Sequence, residues 1–484
     1  MKDLALLALD AVTRGGVAYA DVRVIESRDR DVTTKNGKAG HVSSTESLGV
    51  GIRVLADGCW GFAATGDVSR HGIETAAALA LEIARAGTLA KKGDVTLAPE
   101  DKYEATWVSP CAIDPFSIPV DRNLAVLLAV DKELRRDPAI SLAETSMHFE
   151  RERQIFASTL GSLIDQTRTT SGAGFTALCY KDGEIQKRSY PNSFGGQYQL
   201  KGYELIEELD LLGHAPRIAE EAVALHSADQ CPEGVFDLIL DSSQLGLQIH
   251  ESIGHPIELD RVLGTEANYA GMSFLTLDQL RKLRYGSDIV NVVCDARLEH
   301  GPGLGTFAFD DEGVPAQGVD IIRSGLFTGY MTSRETASAV GERRSNGCMR
   351  ADGWARLPLI RMTNVSLQPG RQSLEEVFGA DHAIYMETNR SWSIDDKRYN
   401  FQFGCEIAWE MRGGKRGRML KNPSYSGIST EFWNACEAIA GREHWTLWGV
   451  PNCGKGQPEQ VMGTGHGASP SRFGKIKVGS AYAG

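Results

Sequence analysis

The chain has 484 residues and a formal net charge of -12, with 42% hydrophobic and 24% charged residues. This length predicts two domains, and the acidic balance argues against non-specific binding to nucleic acid or to anionic membranes. No run of 18 apolar residues occurs, and the nine cysteines stand singly. We therefore expect a cytoplasmic protein with no membrane span and no disulfide framework.

The first segments predict a helix, an antiparallel meander and a second helix. Apolar residues at helical spacing, interrupted by Asp3 and Asp10, predict an amphipathic helix at the start instead of a signal peptide. Alternating residues over 19–65 predict strands, and Asn36-Gly37 and Asp57-Gly58 are typical of hairpin turns. An Ala- and Leu-rich stretch over 74–87 predicts the next helix.

The following segment repeats this order. A predicted helix over 121–136 precedes alternating strands over 141–190, and a long helix is predicted over 202–228. An internal duplication would explain the repetition, although any two antiparallel meanders share this much pattern. We predict an N-terminal α/β domain of antiparallel meanders with helices over residues 1–228.

The remaining sequence is rich in glycine and aromatic residues and predicts a β-rich, barrel-like domain over residues 229–484. Strands are predicted at 235–243, 318–331, 400–420 and 471–479. A short helix is predicted over 334–340, with Ser333 as its N-cap and Gly341 after its end. The fold class predicted for the whole chain is α+β.

The segment LQIHESIGHPIEL holds the pattern from which we infer chemistry: His250, Glu251 and His255. Two histidines five apart lie roughly 140° apart around a regular α-helix, which would aim them badly at one metal ion. Gly254 and Pro256 predict that the helix kinks or ends here, and that His255 leaves the α region and turns back toward His250.

Glu251 occupies the position of the general base in zinc peptidases. It would take a proton from water that the metal activates and pass it to the leaving amine. The alternative is an ordinary helix that carries two surface histidines and a glutamate.

A catalytic zinc site needs a third protein ligand, and the residues alone leave several candidates. The third ligand would be another histidine, a carboxylate or a thiolate, and four named candidates lie in the predicted second domain: His300, His444, His466 and Cys453. Cys453 lies in a loop-like stretch, and a thiolate is a good zinc ligand. His466 stands between two glycines, where it would either polarise a substrate carbonyl or be a plain loop histidine.

Three further motifs suggest little chemistry by themselves. The sequence around Lys455 lacks the spacing of a phosphate loop. FDDEGVPAQ (309–317) predicts a turn, and RMTNVSLQPG (361–370) indicates no obvious chemistry.

Taken in order, these motifs resemble the TldD/PmbA family of zinc metallopeptidases, and in particular its TldD branch. The resemblance covers nearly the whole chain and is carried by YADVRV (19–24), GVGIRV and DGCWGFAAT (49–65), HESIGH (250–255), FDDEGVPAQ (309–317), RMTN (361–364), and PNCGKGQ with GTGHG (451–467). It implies an N-terminal α/β domain and a C-terminal barrel-like domain. It also implies zinc held by His250, His255 and Cys453, with Glu251 as the base.

The resemblance further implies a TldE-like paralogue as partner, or a homodimer, with unfolded peptides cleaved inside a shared cavity and held as an added β-strand. This sequence departs from the family pattern at Pro256, where glycine is common, and over 260–284. That segment contains the helix-like stretch LTLDQLRKLR (275–284).

Two other functions are compatible with parts of the sequence. A non-catalytic peptide-binding partner would share the fold, but it would not need a base beside two ligands. A regulator of DNA topology acting by direct contact fits poorly with a charge of -12.

Overall fold

Two long antiparallel hairpins organise the first half of the computed structural model, which describes residues 1–269 and 271–480. Strands β1 and β5 pair with each other, so the hairpins merge into one eight-stranded sheet with the path β3-β2-β1-β5-β6-β4, and β7 and β8 also pair with β6. The elements of this half are α1 (Lys2–Thr13), β1 (Tyr19–Lys35), β2 (Lys38–Ala56), β3 (Cys59–Thr65), α2 (Arg70–Gly87), β4 (Glu104–Val108), α3 (Val120–Leu134), β5 (Ile140–Ser158), β6 (Leu163–Lys181), β7 (Glu184–Tyr190), β8 (Gln197–Gln199), α4 (Glu204–Glu208) and α5 (Leu211–Ala224).

The predicted hairpin turns are confirmed. Asn36 and Gly37 both have positive φ, and so do Asp57 and Gly58, as two-residue turns of the primed type require. The order of two long strands, a short strand and a helix occurs twice, in β1-β2-β3-α2 and in β5-β6-β7 followed by α4 and α5. This repetition is compatible with a duplication, which stays a prediction.

The long helix predicted over 202–228 is wrong as a single element. It is divided into α4 and α5 at Asp210, which has φ 42° and accepts a hydrogen bond from the Gly213 N–H. A left-handed residue cannot continue an α-helix, so α5 begins anew with Asp210 as its N-cap.

Five strands of the second half close into a barrel. The path β17-β10-β24-β20-β18 returns to β17 through a direct β17–β18 pairing, while β19, β9 and β21 extend the sheet. The elements of this half are β9 (Asp229–Gln230), β10 (Gly234–Leu240), α6 (Ser242–Ile249), α7 (Leu259–Val262), β11 (Val292–Asp295), β12 (Gly318–Arg323), β13 (Leu326–Phe327), β14 (Met349–Arg350), β15 (Leu359–Ile360), β16 (Asn364–Leu367), α8 (Leu374–Phe378), β17 (His382–Ile394), β18 (Asn400–Arg412), β19 (Lys415–Lys421), β20 (Pro423–Ile428), α9 (Ser429–Asn434), β21 (Cys436–Ile439), β22 (Thr446–Lys455), β23 (Gln460–Ala468) and β24 (Ser471–Ser480).

A second sheet stands beside the barrel, with the order β13-β12-β11-β16-β23-β22. Helix α6 packs against β17 of the barrel and against β16 and β23 of this sheet, and all eight of its residues are buried. A helix buried on all sides holds its end rigidly, and α6 ends at the HESIGH segment. The α+β class with a β-rich, barrel-containing second half is as the sequence predicted.

Two predicted helices of this half are shorter than expected. The stretch over 275–284 forms only a 3₁₀ turn at Leu277–Gln279. The predicted helix over 334–340 is a 3₁₀ turn at Ala337–Val340, with Thr336 and not Ser333 as its N-cap, although Gly341 ends it in the left-handed conformation as expected. Segments this short gain little stability as isolated helices, so tertiary packing decides their conformation.

Buried ion pairs join the two halves. Arg53 of β2 binds Asp21 at 2.6 Å and Glu312 at 3.2 Å, and Arg188 of β7 binds Glu406 at 3.3 Å. Glu312 lies in the predicted turn at 309–317, which is confirmed by the positive φ of Gly313. The domain boundary near residue 228 stays a prediction. Within the described residues, no helix has both the length and the apolar character that crossing a bilayer demands.

Candidate metal centre

The chain changes from an α-helix to a π-turn at the first histidine of HESIGH. The π-turn covers His250–Gly254, and the N–H of His255 donates to the carbonyl oxygen of His250. In a turn closed by this i→i+5 bond, residues five apart stack on the same side. The imidazole centroids of His250 and His255 accordingly lie 4.8 Å apart.

This geometry corrects the expectation that His255 leaves the α region. His255 has φ -64° and ψ -42°, and Pro256 is tolerated because it falls in the first turn of the following 3₁₀ helix, His255–Ile257. The helix is widened instead of broken. The Ser252 hydroxyl donates to the Gln248 carbonyl at 2.6 Å, a side-chain bond that competes with the regular helical ladder.

Cys453 approaches the two histidines from the edge strand of the six-stranded sheet. Its stretch was predicted as a loop, but it lies on β22, where an edge position accommodates Pro451. The register between β22 and β23 shifts between Val450 and Cys453. Bulges of this kind re-aim side chains and bend a strand.

One ligand atom from each of His250, His255 and Cys453 lies within 4.8 Å of the other two. The Cys453 sulfur is 3.9 Å from Nε2 of His255. All three side chains are buried, with residue exposures of 2–4%. Of the four named candidates for a third ligand, Cys453 therefore forms a possible metal-binding group with the two histidines.

The ring of His466 lies behind His250 and fixes its orientation. Nδ1 of His466 is 3.1 Å from the Val365 carbonyl oxygen and must donate to it, so Nε2 of neutral His466 accepts. Nδ1 of His250 lies 2.8 Å from that Nε2 and therefore donates. This assignment leaves Nε2 of His250 with a free lone pair, as a metal ligand requires.

His466 is completely buried behind His250, and its role as a substrate contact stays a prediction. Its flanking glycines serve packing: a Cβ on Gly465 would lie 2.1 Å from Asn364, and one on Gly467 would lie 1.8 Å from Trp445. Of the other candidates, His300 is half exposed and lies near Asp295, and His444 sits in the 3₁₀ helix Arg442–His444.

His255 is oriented by Glu258, whose Oε2 lies 3.0 Å from Nδ1 of the imidazole. Glu258 is itself fully buried and belongs to a network of charges with Arg261, Lys455, Asp260 and Glu266. A carboxylate behind a histidine fixes the tautomer and leaves the other ring nitrogen for a metal.

Burial and nearby charges set the protonation of these groups. Burial lowers the pKa of His250 and lowers the pKa values of His255 and His466 well below the ordinary value, so the rings are neutral at pH 7. Burial opposes ionisation of Cys453, but the proximity of His255 and the Arg361 guanidinium outweigh it, and the pKa of the thiol is lowered. Neutral imidazoles and a thiolate are the forms that bind metal ions.

Glu251 lies in the same π-turn and is paired with Arg398. Nη1 of Arg398 donates to Oε2 of Glu251 at 2.5 Å, and both side chains are largely buried. Arg398 comes from the loop between β17 and β18, and its carbonyl accepts a hydrogen bond from the Ser429 hydroxyl at 2.9 Å. The base candidate thus faces a cation that the barrel supplies.

Sequence reasoning missed Glu258, Arg398 and the role of His466. Glu258 follows His255 by three residues, a spacing at which side chains meet on a helical turn, so a signal was present. Arg398 is 147 residues from Glu251, and nothing local to either residue indicates the contact.

Family models match the chain over most of its length. Residues 233–480 match the PmbA/TldA metallopeptidase C-terminal domain, residues 20–84 match domain 1 and residues 113–227 match the central domain. The chain belongs to the PmbA/TldD metallopeptidase family. The metal-centre candidates all lie in the C-terminal domain of this family.

Curated relatives of the same family are named metalloproteases. The chain is 28% identical over 451 residues to a metalloprotease of Methanocaldococcus jannaschii, covering 93% of this chain and 95% of the relative. It is 23% identical over 468 residues to a metalloprotease TldD homolog of Haemophilus influenzae, covering 95% of this chain and 92% of the relative. A zinc metalloprotease TldD homolog of Saccharolobus solfataricus is 29% identical over 207 residues, covering 43% of this chain and 44% of the relative.

Solved structures share the family fold at low sequence identity. A proposed modulator of a DNA gyrase from Thermotoga maritima superposes with a TM-score of 0.76 at 17% identity, covering 98% of this chain and 99% of that one. TldE from Thermococcus kodakarensis superposes with a TM-score of 0.70 at 14% identity, covering 98% and 100%. Both likenesses concern the fold.

Proposed function

We propose that this chain is a zinc-dependent peptidase in which His250, His255 and Cys453 hold the metal and Glu251 acts as the base. The observation that supports this most directly is the convergence of three ligand atoms within 4.8 Å of one another. Two of them are imidazole nitrogens whose opposite ring nitrogens are already engaged.

The donor set suits zinc in number and type. Tetrahedral zinc with two nitrogen ligands and one sulfur ligand places its ligand atoms about 3.5 Å apart, close to the 3.9 Å between Cys453 and His255. Three protein ligands leave one position open, as in catalytic sites. A bound zinc ion would supply Lewis acidity toward water and toward the substrate carbonyl.

Glu251 would move the proton in this reaction. Its Oε2 accepts from Arg398, so we assign Oε1 to receive a proton from the attacking water and to deliver it to the leaving amine. The burial of Glu251 and of the three ligands excludes bulk water, which strengthens the electrostatic interactions at the site.

The substrates and the partner are part of the same proposal. We infer that unfolded peptides bind as an added strand, in a cavity that a TldE-like paralogue or a second copy of this chain completes. The names of the metalloprotease relatives support a peptide substrate, and the fold likeness to TldE supports a partner of that kind. A non-catalytic binding subunit is the alternative, and Glu251 beside two ligand histidines favours the enzyme.

Metal content by elemental analysis tests the proposal, with Cys453→Ala and His255→Ala as variants. Cys405→Ala and His444→Ala are the controls, because Cys405 is equally buried and neither residue lies at the centre. We expect about one zinc per chain, lost in the first pair and retained in the controls. Zinc absent from the wild type, or retained in both site variants, would favour the binding subunit.

A further inference from the structure

Arg361 is a buried arginine with most of its donors open. The residue has no exposed surface, and its Nη2 donates to the Cys453 carbonyl oxygen at 2.5 Å. Nε and Nη1 are buried, and neither has a hydrogen-bond partner among residues 1–269 and 271–480. At least three of the five guanidinium N–H groups are therefore unpaired, beside the strand that carries a proposed metal ligand.

Such an arrangement is costly unless a ligand completes it. Leaving buried polar donors without acceptors destabilises a folded protein, and a charged donor more than a neutral one. The neighbouring Arg350 shows the contrast: both of its terminal nitrogens donate to carbonyls, of Met362, Gly463 and Leu304, while its Nε has no partner within the described residues. The fold can satisfy a buried guanidinium with its own carbonyls, and at Arg361 it does so for one nitrogen.

Arg398 adds a second open donor on the other side of the centre. Its Nη1 is paired with Glu251, while its Nε is buried and has no partner within the described part of the chain. Both guanidinium groups lie beside proposed metal ligands, because Arg398 binds Glu251, the residue after His250, and Arg361 binds the backbone carbonyl of Cys453.

The charges of the centre favour an anion. A thiolate and two neutral imidazoles around a divalent cation leave one positive charge, and Glu251 and Arg398 neutralise each other. Arg361 adds a further positive charge, and the nearby carboxylates of Glu258, Asp260 and Glu266 are already paired with Arg261 and Lys455. Because the site has little exposed surface, this excess positive charge attracts a negatively charged ligand at the open position more strongly than it would in water.

We propose that Arg361 and Arg398 form a carboxylate-binding subsite beside the metal centre, so that favoured substrates present a carboxylate next to the bond to be cleaved. This deepens the proposed function and rests on it, because the subsite has a use only if peptides reach the centre. Arginine is the residue best suited to a carboxylate, because its donors match the two oxygens. It also gives the RMTN motif a role through its first residue.

The carboxylate belongs either to the C-terminus of the peptide or to an acidic side chain. Three N-acetylated peptides of one sequence distinguish these sources: a free acid without acidic side chains, its C-terminal amide, and the amide with one glutamate introduced. Binding is measured by calorimetry on zinc-loaded protein carrying Glu251→Gln, which keeps an oxygen acceptor for Arg398. The comparison is made with and without Arg361→Gln. Both proteins carry Glu251→Gln, so any effect of that substitution is the same in each.

With Arg361 present, we expect at least one carboxylate peptide to bind about 10- to 100-fold more tightly than the neutral amide, as charge-assisted hydrogen bonds predict. Preference for the free acid identifies the C-terminus, and preference for the glutamate peptide identifies a side chain. Arg361→Gln should abolish the preference and Arg361→Lys should restore part of it. Arg350→Gln, which removes the same charge from an equally buried position, should retain it.

Equal binding of all three peptides would overturn the proposal, and so would a preference that survives Arg361→Gln. Thermal unfolding and zinc content of each variant separate loss of the subsite from loss of the fold. Cleavage by the wild type keeps the two proposals apart. If all three peptides are cleaved alike, the peptidase stands and the subsite fails, whereas binding without any cleavage removes the peptidase assignment.

Discussion

The backbone N–H of His255 donates to the carbonyl oxygen of His250, so the two proposed ligands are the two ends of one π-turn hydrogen bond. This single bond makes a five-residue spacing equivalent to the four-residue spacing of metal-binding histidines on an α-helix. Gly254, within the turn, faces Met362 so closely that a Cβ would lie 2.1 Å from the methionine sulfur.

The first prediction concerns that close approach. Gly254→Ala should lower the free energy of unfolding by about 1–3 kcal/mol, because the added methyl group must displace Met362. In the double variant with Met362→Ala, the loss of unfolding free energy should be smaller than the sum of the two single losses, because the two residues share one space. Urea denaturation of the four proteins measures this coupling, and strictly additive losses would contradict it.

Glu251→Gln should keep the metal and lose peptide cleavage. Removing a general base reduces turnover by about 10²- to 10⁴-fold, and Glu251 is not among the three residues whose ligand atoms converge. The measurement is turnover of an unfolded peptide together with zinc content. Glu299→Gln is the control because Glu299 is exposed. Turnover unchanged in Glu251→Gln would remove this residue from the role of base.

His466→Phe should weaken metal binding about 10- to 100-fold, because His250 loses the acceptor that holds its tautomer. His466→Gln keeps an oxygen acceptor near the same position, so its zinc affinity should fall less. Competition for zinc with a chromophoric chelator gives both affinities. If the phenylalanine variant binds zinc as tightly as the wild type, His466 does not orient His250.

Glu258→Gln and Glu266→Gln form a matched pair. Each removes a buried carboxylate that contacts both Arg261 and Lys455 and should destabilise the protein by about 1.5–3 kcal/mol, because charge-assisted hydrogen bonds in the network are lost. Only Glu258 contacts His255, so only Glu258→Gln should also weaken zinc binding. Chemical denaturation and chelator competition give the two quantities. Equal zinc affinities in the two variants would show that Glu258 does not position the ligand.

Glu150 should make stability depend on pH. Burial, followed by the charge of Glu152, raises the pKa of Glu150 to about 7 from its ordinary value of 4.5. Between these pH values the folded state holds a proton that the unfolded state has released, so stability falls as pH rises through this window. Relative to the wild type, Glu150→Gln should be equally stable near pH 4.5 and more stable above pH 7, by at most about 3 kcal/mol.

Denaturation at a series of pH values tests this prediction. Glu104→Gln is a suitable control, because Glu104 is an exposed glutamate on β4 of the same sheet. A constant difference between the wild type and Glu150→Gln across the pH range would contradict the raised pKa.

The local pattern of apolar and polar residues was sufficient to predict many of the helices, strands and turns. Alternation predicted the long hairpins, and Asn36-Gly37 fixed one turn because both residues accept positive φ. Periodicity located α1, α2 and α3 within a few residues. It failed at Asp210, where a left-handed residue divides the predicted helix, and over 275–284, where the chain packs in a mostly irregular conformation. In both places tertiary packing overrides helix propensity.

For the candidate site, the sequence by itself determined which residues stand next to one another along the chain. It placed His250, Glu251 and His255 in one short segment and offered four candidates for a third ligand. Only the tertiary structure decided that Cys453 meets His255, that His466 supports His250, and that Arg398 and Arg361 bring their charges to the centre. The physical reason is range: helical and strand periods record neighbours a few residues apart, whereas these contacts join segments about 100 to 220 residues apart through the packing of α6 between the barrel and the second sheet.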